Sequence, residues 1–438
     1  MKKKRGLSRR EFLVGSGVAL GSAVLAAKGA AQAPQSPRVA KKVKIQWMEW
    51  ISTEITEARM QEVLDAFYKT DAGKSIEIER ITAPSSQFLD KMLANHLAGA
   101  MPDVQHIKAE WIAEFGGRGA LEPLNPYLEK AGKDWVANLA KNNMVPLKGA
   151  HYILPVTATA FLLYFNIRKL EEAGFGGPPK TWDDIERMGP KLTNPAKNSY
   201  SFACAMGVVS PYTGPVWELW PLIYQCNDTV LKGGKCNLNS RASIKALKFW
   251  LHLVYDLKIY SPGVLTNAET AEVEAFTSEV TAMLKKSAGF VRVVQQRNPT
   301  MRFGLAALPE GETYGTFGGG WCNALCATSK NKDAAWEFMY WLSSPEGNAL
   351  VSRAAFMTPG NLKADMSPLI KSEPRFQVAL DVLRRGRVFS ENASLPESTN
   401  LFNVLLEQVH EAANKRKTPE AAMEYATAEW NKILAKYA

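Results

Sequence analysis

The sequence predicts an α/β protein built as two lobes, on three observations. Strand-like and helix-like segments alternate near its start. At 438 residues the chain exceeds what one ordinary core organises. Hydrophobic residues make up 46% and charged residues 22%, the balance of a folded globular chain rather than a disordered one. Taken in order, residues 43–47 (Val-Lys-Ile-Gln-Trp) alternate like a half-buried strand. Residues 54–68 then place Ile55, Met60, Val63, Leu64 and Phe67 at helical spacing. A second strand is expected over 75–81, a helix over 86–97 and a third strand over 103–107. The middle of the chain reads as more helical. Thr181-Trp182-Asp183-Asp184 carries a capping signature, and Ser344-Pro345 and Thr418-Pro419 each set a cap residue before a first-turn proline. Residues 240–255 form a long amphipathic pattern through Ile244, Leu247, Leu251 and Val254.

The first 33 residues have a separate character. A basic run over 2–5 precedes an apolar stretch over 14–27 and small residues ending Ala31-Gln32-Ala33. Those 14 apolar residues fall short of the roughly 20 that a bilayer span needs. Ser8-Arg9-Arg10-Glu11-Phe12-Leu13 resembles the twin-arginine export motif. Residues 1–33 are therefore expected to be a signal peptide cleaved near Ala33, with 34–42 a tether, delivering the protein to the periplasm. The leader also carries seven basic residues and one acid, so most of the formal charge of +10 belongs to it. The remainder is too near neutrality for a nucleic-acid footprint.

Five cysteines are too few for a disulfide scaffold, and five histidines leave little room for a multi-histidine metal site. Cys226 and Cys236 flank Gly233-Gly234 at a spacing that permits a disulfide. Cys322 and Cys326 lie on one strand-like run, about 13 Å apart, and read with Cys204 as small core residues. No phosphate loop, zinc-protease, haem or nucleophile-elbow motif occurs. The chain is not expected to be an enzyme, nor to carry a metal or cofactor. Its distinctive feature is 12 tryptophans, several at strand ends or glycine-rich turns: Trp50, Trp111, Trp217, Trp220 and Trp321. Flat aromatic faces at the rim of a cleft suit sugar rings. Trp250, Trp336 and Trp341 read as core.

Several short stretches, in order, resemble the extracellular solute-binding proteins of ABC importers, the family that includes maltose-binding proteins. They are Asn95-His-Leu-Ala-Gly-Ala-Met-Pro-Asp-Val104, Gly119-Ala-Leu-Glu-Pro-Leu124, Tyr152-Ile-Leu-Pro155 with Leu163-Tyr-Phe-Asn166, and Pro178-Pro-Lys-Thr-Trp-Asp-Asp184. Phe276 with Ala282-Met283, and Phe317-Gly-Gly-Gly-Trp321 followed by Ser329–Phe338, complete the series. The resemblance implies the class II periplasmic-binding fold, with a ligand cleft between discontinuous lobes. Lobe 1 would join 41–156 with 312–342, and lobe 2 would join 157–311 with 343–438. Hinges would fall near 155–159, 309–315 and 342–345.

It also implies ligand contacts at Glu49, Trp50, Gln87, His106, Glu110, Trp111, Thr159, Gly319, Gly320 and Trp321. Glu49 and Glu110 would accept hydrogen bonds from hydroxyls, and His106 would donate one. Gly319 and Gly320 would let the backbone approach the ligand. Thr159 stands where maltose-binding protein has a carboxylate. Trp321 and one of Trp217 or Trp220 would stack on the ligand from opposite lobes, although Trp217 and Trp220, three residues apart, equally fit helix packing. The implied function is capture of a carbohydrate or polyol for an ABC permease, by a monomer. The alternatives are a phosphorylated or charged solute such as a glycerol phosphodiester, for which Lys108 and Arg118 are the expected cations, and a cofactor-bearing periplasmic enzyme.

Overall fold

The computed structural model describes residues 42–207 and 214–437, so the leader and tether up to Lys41 lie outside it. In chain order the strands are β1 (Val43–Glu49), β2 (Ile76–Thr82), β3 (Val104–Lys108), β4 (Ile153–Pro155), β5 (Thr159–Asn166), β6 (Tyr200–Phe202), β7 (Leu231–Lys232), β8 (Lys235–Cys236), β9 (Thr281–Ser287), β10 (Phe303–Ala306), β11 (Thr316–Gly319), β12 (Trp321–Leu325) and β13 (Val388–Phe389). They form two main sheets. The first has the order β2-β1-β3-β12-β4, with β1, β2 and β3 parallel and β12 antiparallel to both its neighbours. The second has the order β13-β11-β5-β9-β6, and β10 also pairs with β5.

Local chemistry explains the elements that frame the first sheet. In β1, Ile45 and Trp47 point into the core while Val43, Lys44 and Gln46 stay exposed. Helix Glu57–Tyr68 starts where the Thr56 side chain accepts the Arg59 amide, and it buries Met60, Val63, Leu64 and Phe67 against the sheet. Helix Lys332–Leu342 covers the same face and brings Phe338 to 5.0 Å from the Trp47 ring. The second sheet has its own core around Trp182, Trp220, Trp250 and Trp430. Thr181 caps helix Trp182–Leu192 by accepting the Asp184 amide, and Trp182 stacks on Phe249 at 3.9 Å. Among the described residues, no helix is long and apolar enough to cross a membrane.

The chain passes between the sheets in three places. The first passage runs from β4 to β5 and the second from β11 through Gly320 to β12. The third follows helix Pro345–Ala355, where Pro359 bridges Thr157 and Asn361 bridges Leu139. Two expected boundaries therefore move. Thr316–Gly319 pairs with β5 and belongs to the second sheet rather than starting the return to lobe 1 at 312. Helix Pro345–Ala355 buries Val351 in the first-sheet core, so the third passage lies beyond Ala355 instead of at 342–345.

Asparagine amides clasp these passages. Asn142 Nδ2 donates to the Gly319 carbonyl at 3.2 Å, and Asn143 Nδ2 donates to the Thr157 carbonyl at 2.7 Å. Asn348 Nδ2 donates to the Val156 carbonyl at 2.8 Å, and Asn361 Nδ2 to the Ser343 carbonyl at 2.8 Å. Crossing strands cannot pair fully with either sheet, so side-chain amides satisfy the carbonyls left over.

Candidate functional site

The parallel strands of the first sheet end on the side where the passages run, which is where open α/β sheets place ligands. β3 and β12 meet there in register, Lys108 opposite Trp321 and His106 opposite Asn323. The imidazole of His106 is fully buried. Its Nδ1 lies 3.0 Å from Asn323 Oδ1, which also accepts the Trp47 indole N–H at 3.2 Å. A carbonyl oxygen only accepts, so Nδ1 carries the proton and Nε2 is left as an acceptor. Among the described residues Nε2 has no partner. Burial pushes this histidine down to about 3, so it is neutral. The expected donor is thus an acceptor towards anything that reaches it, because its one proton is already used.

An aromatic row continues from it. Trp50 lies 4.1 Å from the His106 ring and 5.8 Å from Trp111, and Trp321 lies 6.0 Å from His106 on the other side. Trp50 is only 1% exposed, with Phe88 packed on its edge, so it supports the row from the core. Trp111 and Trp321 are half-buried. Trp111 walls a cavity of about 280 Å³ against the opposite lobe. Leu89 and Leu93 form its apolar side, while Glu114 and the first turn of helix Ser398–Ala413 (Ser398, Thr399, Asn400) provide polar groups. Sequence reasoning missed that helix turn and Glu114. Its only local signal was the polar run Glu397-Ser-Thr-Asn400, which nothing in the sequence linked to Trp111.

Several expected contacts sit elsewhere. Glu49 is buried and both its oxygens are taken: Oε2 accepts the Ser52 amide at 2.8 Å and Oε1 the Ser52 hydroxyl at 2.7 Å. Arg80 lies 3.5 Å from the same carboxylate, whose affinity for its proton is raised by burial. Glu49 therefore fastens the turn after β1 and is not open to a ligand hydroxyl. Trp220 is fully buried among Phe317, Phe402 and Trp430 and is a core residue, which leaves Trp217 as the remaining candidate of the pair. Gln87 is exposed near the start of its helix, and the side chain of Glu110 lies outside the described residues.

The glycines serve the backbone crossing. A Cβ on Gly320 would fall 2.1 Å from the Thr157 carbonyl, and one on Gly318 would fall 2.3 Å from the Thr159 carbonyl. One on Gly319 would meet nothing nearer than Thr159 Oγ1 at 3.9 Å. Close approach of strands therefore requires Gly318 and Gly320, while Gly319 has room. Thr159 Oγ1 accepts the Gly319 amide at 3.2 Å, so this threonine ties the passages together.

On the second lobe, Trp217 is half-buried on a π-helical turn, Pro215–Leu219, with its ring 5.1 Å from Phe161 near the start of β5. The expected cations are engaged. Arg118 pairs with Glu114 at 2.6 Å, and Lys108 Nζ sits 5.5 Å above the Trp111 ring. Cys226 and Cys236 are free thiols rather than a disulfide. Cys226 closes helix Trp220–Gln225, whereas Cys236 pairs across the β7–β8 hairpin with Leu231, and burial raises each thiol to about 11. No group of three or more metal-ligating side chains occurs among the described residues.

The chain is similar to known binding proteins along most of its length. A binding protein of Brucella abortus is 24% identical over 303 residues, covering 69% of this chain and 72% of that one. The maltotriose-binding protein of Pyrococcus abyssi is 24% identical over 253 residues, covering 56% and 52%. Among solved structures, the sugar-binding protein MalE of Xanthomonas citri superposes with a TM-score of 0.77 at 20% identity, covering 90% of this chain and 98% of that one. The two-sheet, two-lobed architecture is thus that of the MalE-like binding proteins. The model of the bacterial extracellular solute-binding proteins matches residues 52–349, and the chain belongs to that family.

Proposed function

We propose that the protein is the exported solute-binding component of an ABC importer and captures a neutral carbohydrate or polyol without catalysis. The observation that carries this reading is the cavity of about 280 Å³ between the lobes, where the Trp111 indole faces hydroxyl, amide and carboxylate groups. A pyranose presents C–H groups on its faces and hydroxyls at its rim, which is the pattern this lining complements. Trp321 and Trp217, one from each lobe and both half-buried, are the further stacking faces of this proposal. The similarity to maltotriose-binding and sugar-binding proteins supports the same class. A neutral ligand is favoured because Arg118 and Lys108 already have partners. Release to membrane permease subunits follows from the family's role, and residues 1–33 would act as the twin-arginine leader to the periplasm.

A thermal-shift screen over sugars, polyols and glycerol phosphodiesters tests this. A ligand at 100 times its dissociation constant adds about 2.7 kcal/mol of stability, which a melting curve resolves. Stabilisation by sugars or polyols is expected. Stabilisation by the phosphodiesters alone would replace the neutral reading with the charged one.

A further inference from the structure

β9 carries two consecutive lysines, Lys285 and Lys286, which point to opposite faces of the second sheet. Both are withdrawn from water, and Lys286 is 0% exposed. Lys285 is ion-paired with Glu218, and Lys286 with Glu272, while Glu269 lies 3.5 Å from Lys286 Nζ. Burying such pairs costs desolvation that their attraction barely repays, so stability alone is a weak reason to hold two of them side by side. Their placement suggests another reason. Glu218 is the neighbour of Trp217 on the π-helical turn Pro215–Leu219, and Lys286 Nζ sits 4.2 Å from the centroid of the Trp217 ring. Consecutive lysines thus grip consecutive residues of one turn, one through a carboxylate and the other through an indole face. π-Turns are inherently irregular and recur at functional sites, and a half-buried indole on one needs fixing if its plane is to be preset. An ammonium over an indole face is attracted by its quadrupole, most strongly where water is excluded.

We propose that Lys286 is a positioning residue for ligand capture: its ammonium pins the plane of Trp217 against Phe161, with the Lys285–Glu218 pair anchoring the same turn, so that the indole waits in its ligand-bound orientation. This rests on the reading that Trp217 contacts the ligand. Lys286 itself touches no ligand. Preorganisation lowers the ordering cost paid on binding, so its loss weakens affinity without removing a contact.

The test uses the mature chain labelled with 5-fluorotryptophan, the Trp217 resonance being assigned by Trp217→Phe. The variant is the double substitution K286M/E272M, which removes the pair without stranding a buried charge and so keeps the fold. K286R restores a cation. The binding probes are maltose, maltotriose and mannitol, with W217A alongside. The expected result is a broadened or split Trp217 resonance in K286M/E272M, recovered in K286R, with the other tryptophans unmoved. Affinity for whichever probe binds the parent should fall roughly tenfold in the double variant. An unmoved Trp217 resonance overturns the pin, whatever the binding data say. A disturbed resonance with unchanged affinity in W217A shows instead that Trp217 does not contact the ligand, and overturns the role in capture.

Discussion

His106 holds one proton and donates it to Asn323 Oδ1, so its other nitrogen is an acceptor enclosed between Trp50 and Trp321. Charging that ring would place a cation in a buried aromatic setting and set it against the field of Lys108. The histidine is held down to about 3 when folded and returns to its ordinary 6.5 when unfolded. Between those values the unfolded chain binds the extra proton. The contribution of His106 is therefore complete above about pH 6.5 and is lost as pH falls towards 3, with a slope approaching 1.4 kcal/mol per pH unit. Glu272, raised to about 7 chiefly by burial, tilts the other way between 4.5 and 7. Its net cost grows as pH rises through that window. The wild-type curve alone mixes the two groups. The discriminating measurement is denaturant stability of wild type and His106→Gln at several pH values from 4 to 7. The wild type should lose stability relative to the variant as pH falls, and parallel curves would mean His106 is not buried and neutral.

At the scale of elements, the passages between sheets are the most constrained backbone in the site. Gly320→Ala would force a carbon against the Thr157 carbonyl, with Asn143 Nδ2 2.3 Å away on another side. Backbone cannot yield there without breaking the clasp, so this substitution should cost about 2 kcal/mol or more. Gly319→Ala, with open space around it, should stay within about 0.5 kcal/mol. Urea melts of the two variants check the pair, and equal losses would mean the crossing strands are looser than described. Regular elements were readable in advance for ordinary reasons. Periodic apolar spacing marked the helix Glu57–Tyr68 but began it three residues early, at 54, and the Thr181 cap gave the start of Trp182–Leu192 to the residue. The crossings were less legible. Thr316–Gly319 joins the second sheet through its pairing with β5, a partner some 155 residues earlier, and no local pattern reports such pairing.

For the whole molecule, the described residues hold five free cysteines, all buried. An exported protein normally meets an oxidising compartment, yet here each thiol is packed into a core, and burial raises Cys204, Cys226, Cys236 and Cys326. Alkylation of the unfolded mature protein should label five thiols whether or not reductant is added, as read by mass spectrometry. A reductant-dependent gain of two would mean Cys226 and Cys236 close a bond after all. The site divides in the same way as the fold. Trp111 and Trp321 could be singled out as candidates locally, one at a strand end and the other after three glycines, whereas His106 entered only through the family resemblance. Glu49 and Trp220 misled, since a polar or aromatic residue near a strand end can as easily fasten a turn or fill a core. Ser398 and Asn400 were invisible, because only the third dimension sets them opposite Trp111.

The clasp of asparagines has a bearing on how this protein ages. Asn143, Asn348 and Asn361 each offer an amide hydrogen to a main-chain carbonyl at a passage between the sheets or beside one. Slow hydrolysis of such a side chain leaves a carboxylate of nearly the same shape, which has nothing to donate and carries a negative charge. The oxygen it faces would then be a repelling neighbour instead of a partner. Chemical wear at these residues would loosen the joint between lobes while leaving every ligand-facing group in place, so an old preparation would lose its grip before it lost its binding surface.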